Sequence, residues 1–73
     1  MFVVLNARFE TKVRVECQPN TTIKELKEKA SSQTGTPCDK MKIRKWWMTL
    51  EDDKTLQQYR VGDGDGLDLY TYN

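Results

Sequence analysis

Histidine is absent from this 73-residue chain, and cysteine, proline and glycine are scarce, at two, two and four. Without an imidazole there is no usual general base, no Ser-His or Cys-His pair and no histidine ligand for a metal. Cys17 and Cys38 form no Cys-x-x-Cys, which argues against a four-ligand zinc site and against a disulfide scaffold. No glycine-rich phosphate cradle is present; Gly64-Asp65-Gly66 reads as turn chemistry. No apolar run approaches the roughly 20 residues of a membrane span. Charge of one sign is also missing, with 12 Lys and Arg against 11 Asp and Glu and a net charge of +1, so bulk electrostatics do not favour nucleic acid. Met1 leads into Phe2-Val3-Val4-Leu5 with no basic segment before it, so a soluble intracellular chain is expected. The length allows one small domain over residues 1–73, with little volume for a deep pocket. Neither an enzyme nor a cofactor is expected.

What the chain does have is patterning. Phe2 to Asn6 carries the β-branched and aromatic types that suit a pleated surface, with Val3 and Leu5 facing inward. After a polar break at Ala7 to Glu10, Val13, Val15 and Cys17 alternate with Lys12, Arg14 and Glu16, completing an antiparallel hairpin with one wet face. Cys17 is then a small core residue, whereas Cys38, beside Pro37 in a loop, is a candidate exposed thiol.

Thr22-Ile23-Lys24-Glu25 fits a capping box, and Ile23, Leu26 and Ala30 follow at helical spacing. Gly35 is placed to end that helix, with Pro37 blocking its continuation. Lys40 to Trp47 reads as a third strand with Met41 and Ile43 inward, turning back at Trp46-Trp47 through Met48 to Leu50. A polar turn at Glu51 to Lys54, one helical turn at Thr55 to Tyr59 and a last strand carrying Leu67 and Leu69 complete the chain. One amphipathic helix must cover the apolar face of a mixed sheet, which predicts an α+β fold of the β-grasp type.

Residues along the whole chain resemble ubiquitin, among them Pro19, Thr22-Ile23, Lys27, Gly35, Pro37, Asp39, Leu50-Glu51-Asp52, Thr55-Leu56, Tyr59, Leu67 and Leu69. That resemblance implies a pairing of Lys27 with Asp52 below the helix. A narrower resemblance is to the spliceosome-associated family of ubiquitin-like protein five. It rests on Lys12 to Val15 with Cys17, Leu26-Lys27, Gln33-Thr34-Gly35-Thr36, Lys40, Lys45-Trp46, Asp63-Gly64 and Leu67 to Tyr70. The family resemblance implies non-covalent binding. Tyr70-Thr71-Tyr72-Asn73 agrees with it, because conjugation needs a flexible diglycine tail and these residues are bulky. Where ubiquitin carries an apolar recognition patch, the matching positions are Arg8, Arg44 and Tyr70, with Asp68 alongside.

The family also implies a partner, a splicing factor whose short helical element docks close to the start of the helix. An arginine of that element meets an acidic residue at the position that Thr21 occupies here. A threonine offers a hydrogen bond without the charge-assisted pair. Arg14, Glu16, Thr21 and Lys24 are the candidate contacts around this point, and Arg44, Trp46, Trp47 and Tyr70 form a second candidate surface, since Trp and Arg are enriched in interface hot spots. Two alternative readings stand beside this one: a conjugated modifier or ubiquitin-like domain serving proteolysis, and an RNA-binding adaptor using Lys40, Lys42, Arg44 and Lys45 beside the indoles. The neutral chain and the nearby Glu51, Asp52 and Asp53 argue against direct nucleic-acid binding. A monomer in nucleus and cytoplasm, without membrane attachment, is what the resemblance implies.

Overall fold

Alternation and capping set the elements, and the computed structural model, which describes residues 1–7 and 12–72, shows how they assemble. Strands β1 (Phe2–Asn6) and β2 (Lys12–Glu16) pair antiparallel, with Val3 opposite Val15 and Leu5 opposite Val13. Helix α1 (Ile23–Thr34) follows, then a short 3₁₀ helix (Cys38–Lys40), β3 (Met41–Lys45), β4 (Met48–Thr49) and β5 (Gly66–Thr71). The sheet order is β2-β1-β5-β3-β4. β5 lies parallel to β1 and antiparallel to β3, with Ile43 opposite Leu69 and Arg44 opposite Asp68. This is the β-grasp arrangement expected.

The two faces of the sheet follow from side-chain alternation. Val3, Leu5, Val13, Val15, Met41, Ile43, Leu67 and Leu69 are buried on one face, and Ile23, Leu26 and Ala30 of α1 are buried with them. Cys17 joins this core, whereas Cys38 is half-buried. Thr22 closes the helix N-terminus reciprocally: its hydroxyl accepts from Glu25 N–H, and the Glu25 carboxylate accepts from Thr22 N–H. Gly35, at φ 79°, ends the helix by donating its N–H to Ser31 O, a left-handed position that glycine adopts without a Cβ clash.

Two sequence expectations shift at their edges. The predicted strand from Lys40 to Trp47 is confined to Met41–Lys45, because Lys40 ends the 3₁₀ helix and Trp46 takes φ 59°. Thr55 to Tyr59 forms hydrogen-bonded turns that a second reciprocal cap opens: Thr55 Oγ1 accepts from Gln58 N–H and Gln58 Oε1 from Thr55 N–H. The far end closes as a Schellman motif, with Val61 N–H to Leu56 O, Arg60 N–H to Gln57 O and Arg60 left-handed at φ 58°. This turn buries Leu56 and Val61, and Leu50 before it, under the helix side of the core.

Candidate protein-binding surfaces

On the opposite face of the sheet the outward residues gather into two groups. On β2, Arg14 stacks its guanidinium 3.9 Å above the centre of the Phe2 ring and pairs with Glu16 at 3.3 Å. Both side chains of that pair are more than half exposed, so it orients the surface more than it stabilises the fold. β2 is an edge strand, yet two of its outward carbonyls are covered from the helix, Arg14 O by Gln33 Nε2 and Glu16 O by Lys29 Nζ. Side-chain bonds of this kind blunt an edge against strand addition.

Lys24 stands exposed in the first turn of α1, its backbone N–H given to Asp52 O. Thr21 is different. It is 6 % exposed, and its hydroxyl accepts from Gln18 N–H at 2.9 Å while its N–H returns to Gln18 O and its carbonyl accepts from Leu56 N–H. Thr21 thus holds the Gln18–Thr21 turn closed with its side chain. Arg14 and Glu16 are brought together. Among the described residues no hydrogen bond or ion pair joins them to Thr21 or Lys24.

The second group converges more tightly. Arg44 donates from Nη2 to Trp47 O at 2.9 Å, and its guanidinium lies 5.8 Å from the centre of the Tyr70 ring. Its Nε is covered and has no hydrogen-bond partner among the described residues. Lys45 continues the inward alternation of Met41 and Ile43, and its ammonium reaches Tyr59 O at 3.2 Å and Arg60 O at 3.3 Å, 5.3 Å from the Trp46 ring. Two of the four cations in the basic run are therefore committed to backbone carbonyls. Arg8 lies outside the described residues.

The RNA-binding alternative counts Lys45 in an exposed basic run, whereas its ammonium is turned to the backbone of Tyr59 and Arg60. A lysine at an inward strand position was the available signal, since such an ammonium must find an acceptor.

Between these anchors the β3–β4 loop is two residues long, Trp46 and Trp47, because Lys45 pairs with Met48. The indoles stack with centroids 5.6 Å apart and planes 25° from parallel, and they are 72 % and 77 % exposed. Two-residue hairpin loops place Gly or Asn where φ is positive. A bulky residue there costs roughly 1–2 kcal/mol, and an exposed indole recovers little of it by burial. Met48, 39 % exposed, continues the apolar surface toward a shallow groove lined by Thr49, Glu51, Lys54, Gln58 and Tyr59. Among the described residues no cluster of His, Cys, Asp and Glu is arranged to hold a metal ion, and no helix is long and apolar enough to cross a membrane.

A five-stranded mixed sheet grasping one helix, with a charged and aromatic outer face, defines a ubiquitin-like domain. The chain belongs to the ubiquitin family, whose model matches residues 3–72. Among curated relatives, it is 40 % identical over 68 residues to ubiquitin-like protein 5 of Drosophila melanogaster and 37 % identical over 68 residues to ubiquitin-like modifier hub1 of Schizosaccharomyces pombe, each alignment covering 93 % of both chains. It is 38 % identical to ubiquitin-like protein 5 of Dictyostelium discoideum over 71 residues, 97 % of this chain and 96 % of that one. The family resemblance read from the sequence is thereby borne out, and the chain is a ubiquitin-like modifier.

Proposed function

We propose that this modifier acts without conjugation or catalysis, docking on a splicing factor through a short helical element of that partner and so modulating pre-mRNA splicing as a monomer in nucleus and cytoplasm. The observation that carries this reading is the nearly end-to-end similarity to proteins named ubiquitin-like protein 5 and ubiquitin-like modifier hub1. The docking area consistent with this reading is the Arg14–Glu16 pair and exposed Lys24, flanking the loop that Thr21 closes.

The test is an NMR titration of the labelled chain with an arginine-bearing helical peptide from the splicing factor. The expected result is saturable shifts at Arg14, Glu16, Lys24 and the Gln18–Thr21 turn. In Glu16→Gln the exposed carboxylate beside Arg14 is lost, and affinity for the arginine-bearing peptide is expected to fall by about 1 kcal/mol or more. Absence of shifts around this turn in both proteins would refute the docking area.

A further inference from the structure

Arg14 and Glu16 enter the docking area through their side chains, and the main chain beneath them is unused. Met1 and Cys17 exchange hydrogen bonds in both directions, N–H to O. Antiparallel alternation therefore turns the main-chain groups of Val13 and Val15 toward β1 and those of Lys12, Arg14 and Glu16 away from it. Among the described residues no acceptor meets the N–H groups of these three. Only carbonyls are covered, Glu16 O by Lys29 at 2.8 Å and Arg14 O by Gln33 at 3.0 Å, and both bonds are exposed to water. Such a cover guards against chance pairing but leaves readily, because each long side chain exchanges its carbonyl for water at little net cost. The edge is five residues long, against two for β4 at the other side of the sheet.

Unpaired donors and acceptors at this spacing fit an extended chain. A helix cannot meet them, since its own N–H and C=O groups are bonded internally. Charge narrows the occupant further. Lys12 is exposed and has no ion pair among the described residues, and the Lys29 ammonium holds only a carbonyl. The carboxylates around the edge are engaged: Glu16 with Arg14, Glu25 with Thr22, and Asp63 with Phe2 N–H. Glu28 lies about 100° around α1 from Lys29, on the side away from Gln33. Lys12, Arg14 and Lys29 thus stand against Glu16 alone along this edge. A second copy of the chain would bring the same excess of cations, which disfavours pairing of β2 with itself.

We propose that β2 takes up an extended acidic segment of a partner protein as an added edge strand, bonded through the outward main-chain groups of Lys12, Arg14 and Glu16. Lys29 and Gln33 leave their carbonyls as the segment arrives, and the Lys29 ammonium then pairs with one of its carboxylates. The main-chain ladder gives the affinity and the carboxylates give the choice of segment.

The experiment is a titration of the ¹⁵N-labelled full chain with blocked heptapeptides of valine, threonine and glutamate, and with the same peptides carrying glutamine for glutamate. Saturable shifts of the β2 amides and of the Gln33 side-chain amide are expected, with hydrogen exchange at Lys12, Arg14 and Glu16 N–H slowed about tenfold or more. The glutamine peptides should bind about threefold more weakly or worse. Peptides N-methylated at every residue keep their charge but lose every ladder donor, and should not bind. Gln33→Ala uncovers Arg14 O without changing charge and should tighten binding about twofold or more, whereas Lys12→Gln should weaken it. The proposal is overturned if no glutamate peptide slows these three amides at millimolar concentration, or if the N-methylated or glutamine peptides bind as well. Protection that grows with protein concentration alone, or a response only to a helical peptide, would equally overturn it. The helical-peptide titration is scored at Lys24 and the Gln18–Thr21 turn without protection of these amides, so either reading can fail alone.

Discussion

Asp52→Asn is expected to destabilise the fold more than Lys27→Met, although both break the same ion pair. Lys27 Nζ lies 2.6 Å from Asp52 Oδ1, and the two side chains differ in cover, 13 % exposed for Lys27 against 56 % for Asp52. The turn carrying Asp52 is also stitched to the helix start by Lys24 N–H to Asp52 O and Ile23 N–H to Lys54 O. Removing the aspartate charge leaves a covered ammonium with a weaker acceptor. Removing the lysine leaves a carboxylate that water can solvate, and methionine fills the same space.

Exposed pairs contribute about 0.2–1 kcal/mol, and stripping one partner from a buried pair costs about 3–5 kcal/mol. With one partner covered and one wet, about 1.5 kcal/mol is expected for Asp52→Asn and about 0.5 kcal/mol for Lys27→Met. In a domain of this size 1 kcal/mol moves Tm by about 4–8 °C, so Asp52→Asn should lower it by about 6–12 °C. A double-mutant cycle by urea unfolding, at low salt and again in 1 M NaCl, measures the coupling. It should be near 1 kcal/mol and shrink in salt. Equal costs for the two variants, or a coupling below about 0.3 kcal/mol, would refute the reasoning.

Other outcomes follow from the same structure. Thr22→Ala should cost about 1 kcal/mol through the lost cap. Glu25 is held below the ordinary carboxyl range by the Thr22 backbone N–H and then its hydroxyl; a group lowered in this way stabilises above its unfolded value and loses that contribution as pH falls through the folded one. A carboxyl NMR titration should therefore show Glu25 moving part of the way back in Thr22→Ala. Burial pushes the Cys17 thiol up, so a thiol reagent should label Cys38 in the native protein and reach Cys17 only after unfolding. Leu26→Ala, at a fully buried position, should cost about 2–5 kcal/mol, much of the roughly 4–11 kcal/mol that a chain of this length holds, as read by denaturant midpoint. Receptors that grip ubiquitin's apolar patch should show no binding in calorimetry, since the face here presents Arg44, Asp68 and Tyr70; a micromolar dissociation constant would contradict that.

Local chemistry made much of the fold legible. Val13-Arg14-Val15 can satisfy a pleated surface only one way round, and Thr22 with Glu25 marks a helix start without reference to anything distant. Leu50, Leu56 and Val61 sit in a segment with no period, so their burial was not readable. The Thr55–Gln58 cap has a spacing signal like that of Thr22–Glu25, but a single helical turn has no apolar stripe to mark it as a helix start. Among the candidate contacts, Arg44, Trp46, Trp47 and Tyr70 meet as one surface because β3, β5 and the hairpin loop bring them there.

The sequence by itself determined which segments become strands and helix, where the helix begins and ends, and which face of each is apolar. Those properties depend on neighbours within a few positions, and side-chain periodicity and capping report them directly. Only the tertiary structure decided that β5 slots beside β1 in parallel, that Thr21 turns inward and that both tryptophans turn outward. Each of these is settled by which distant groups compete for the same space and the same hydrogen bonds, and a linear pattern carries no record of that competition.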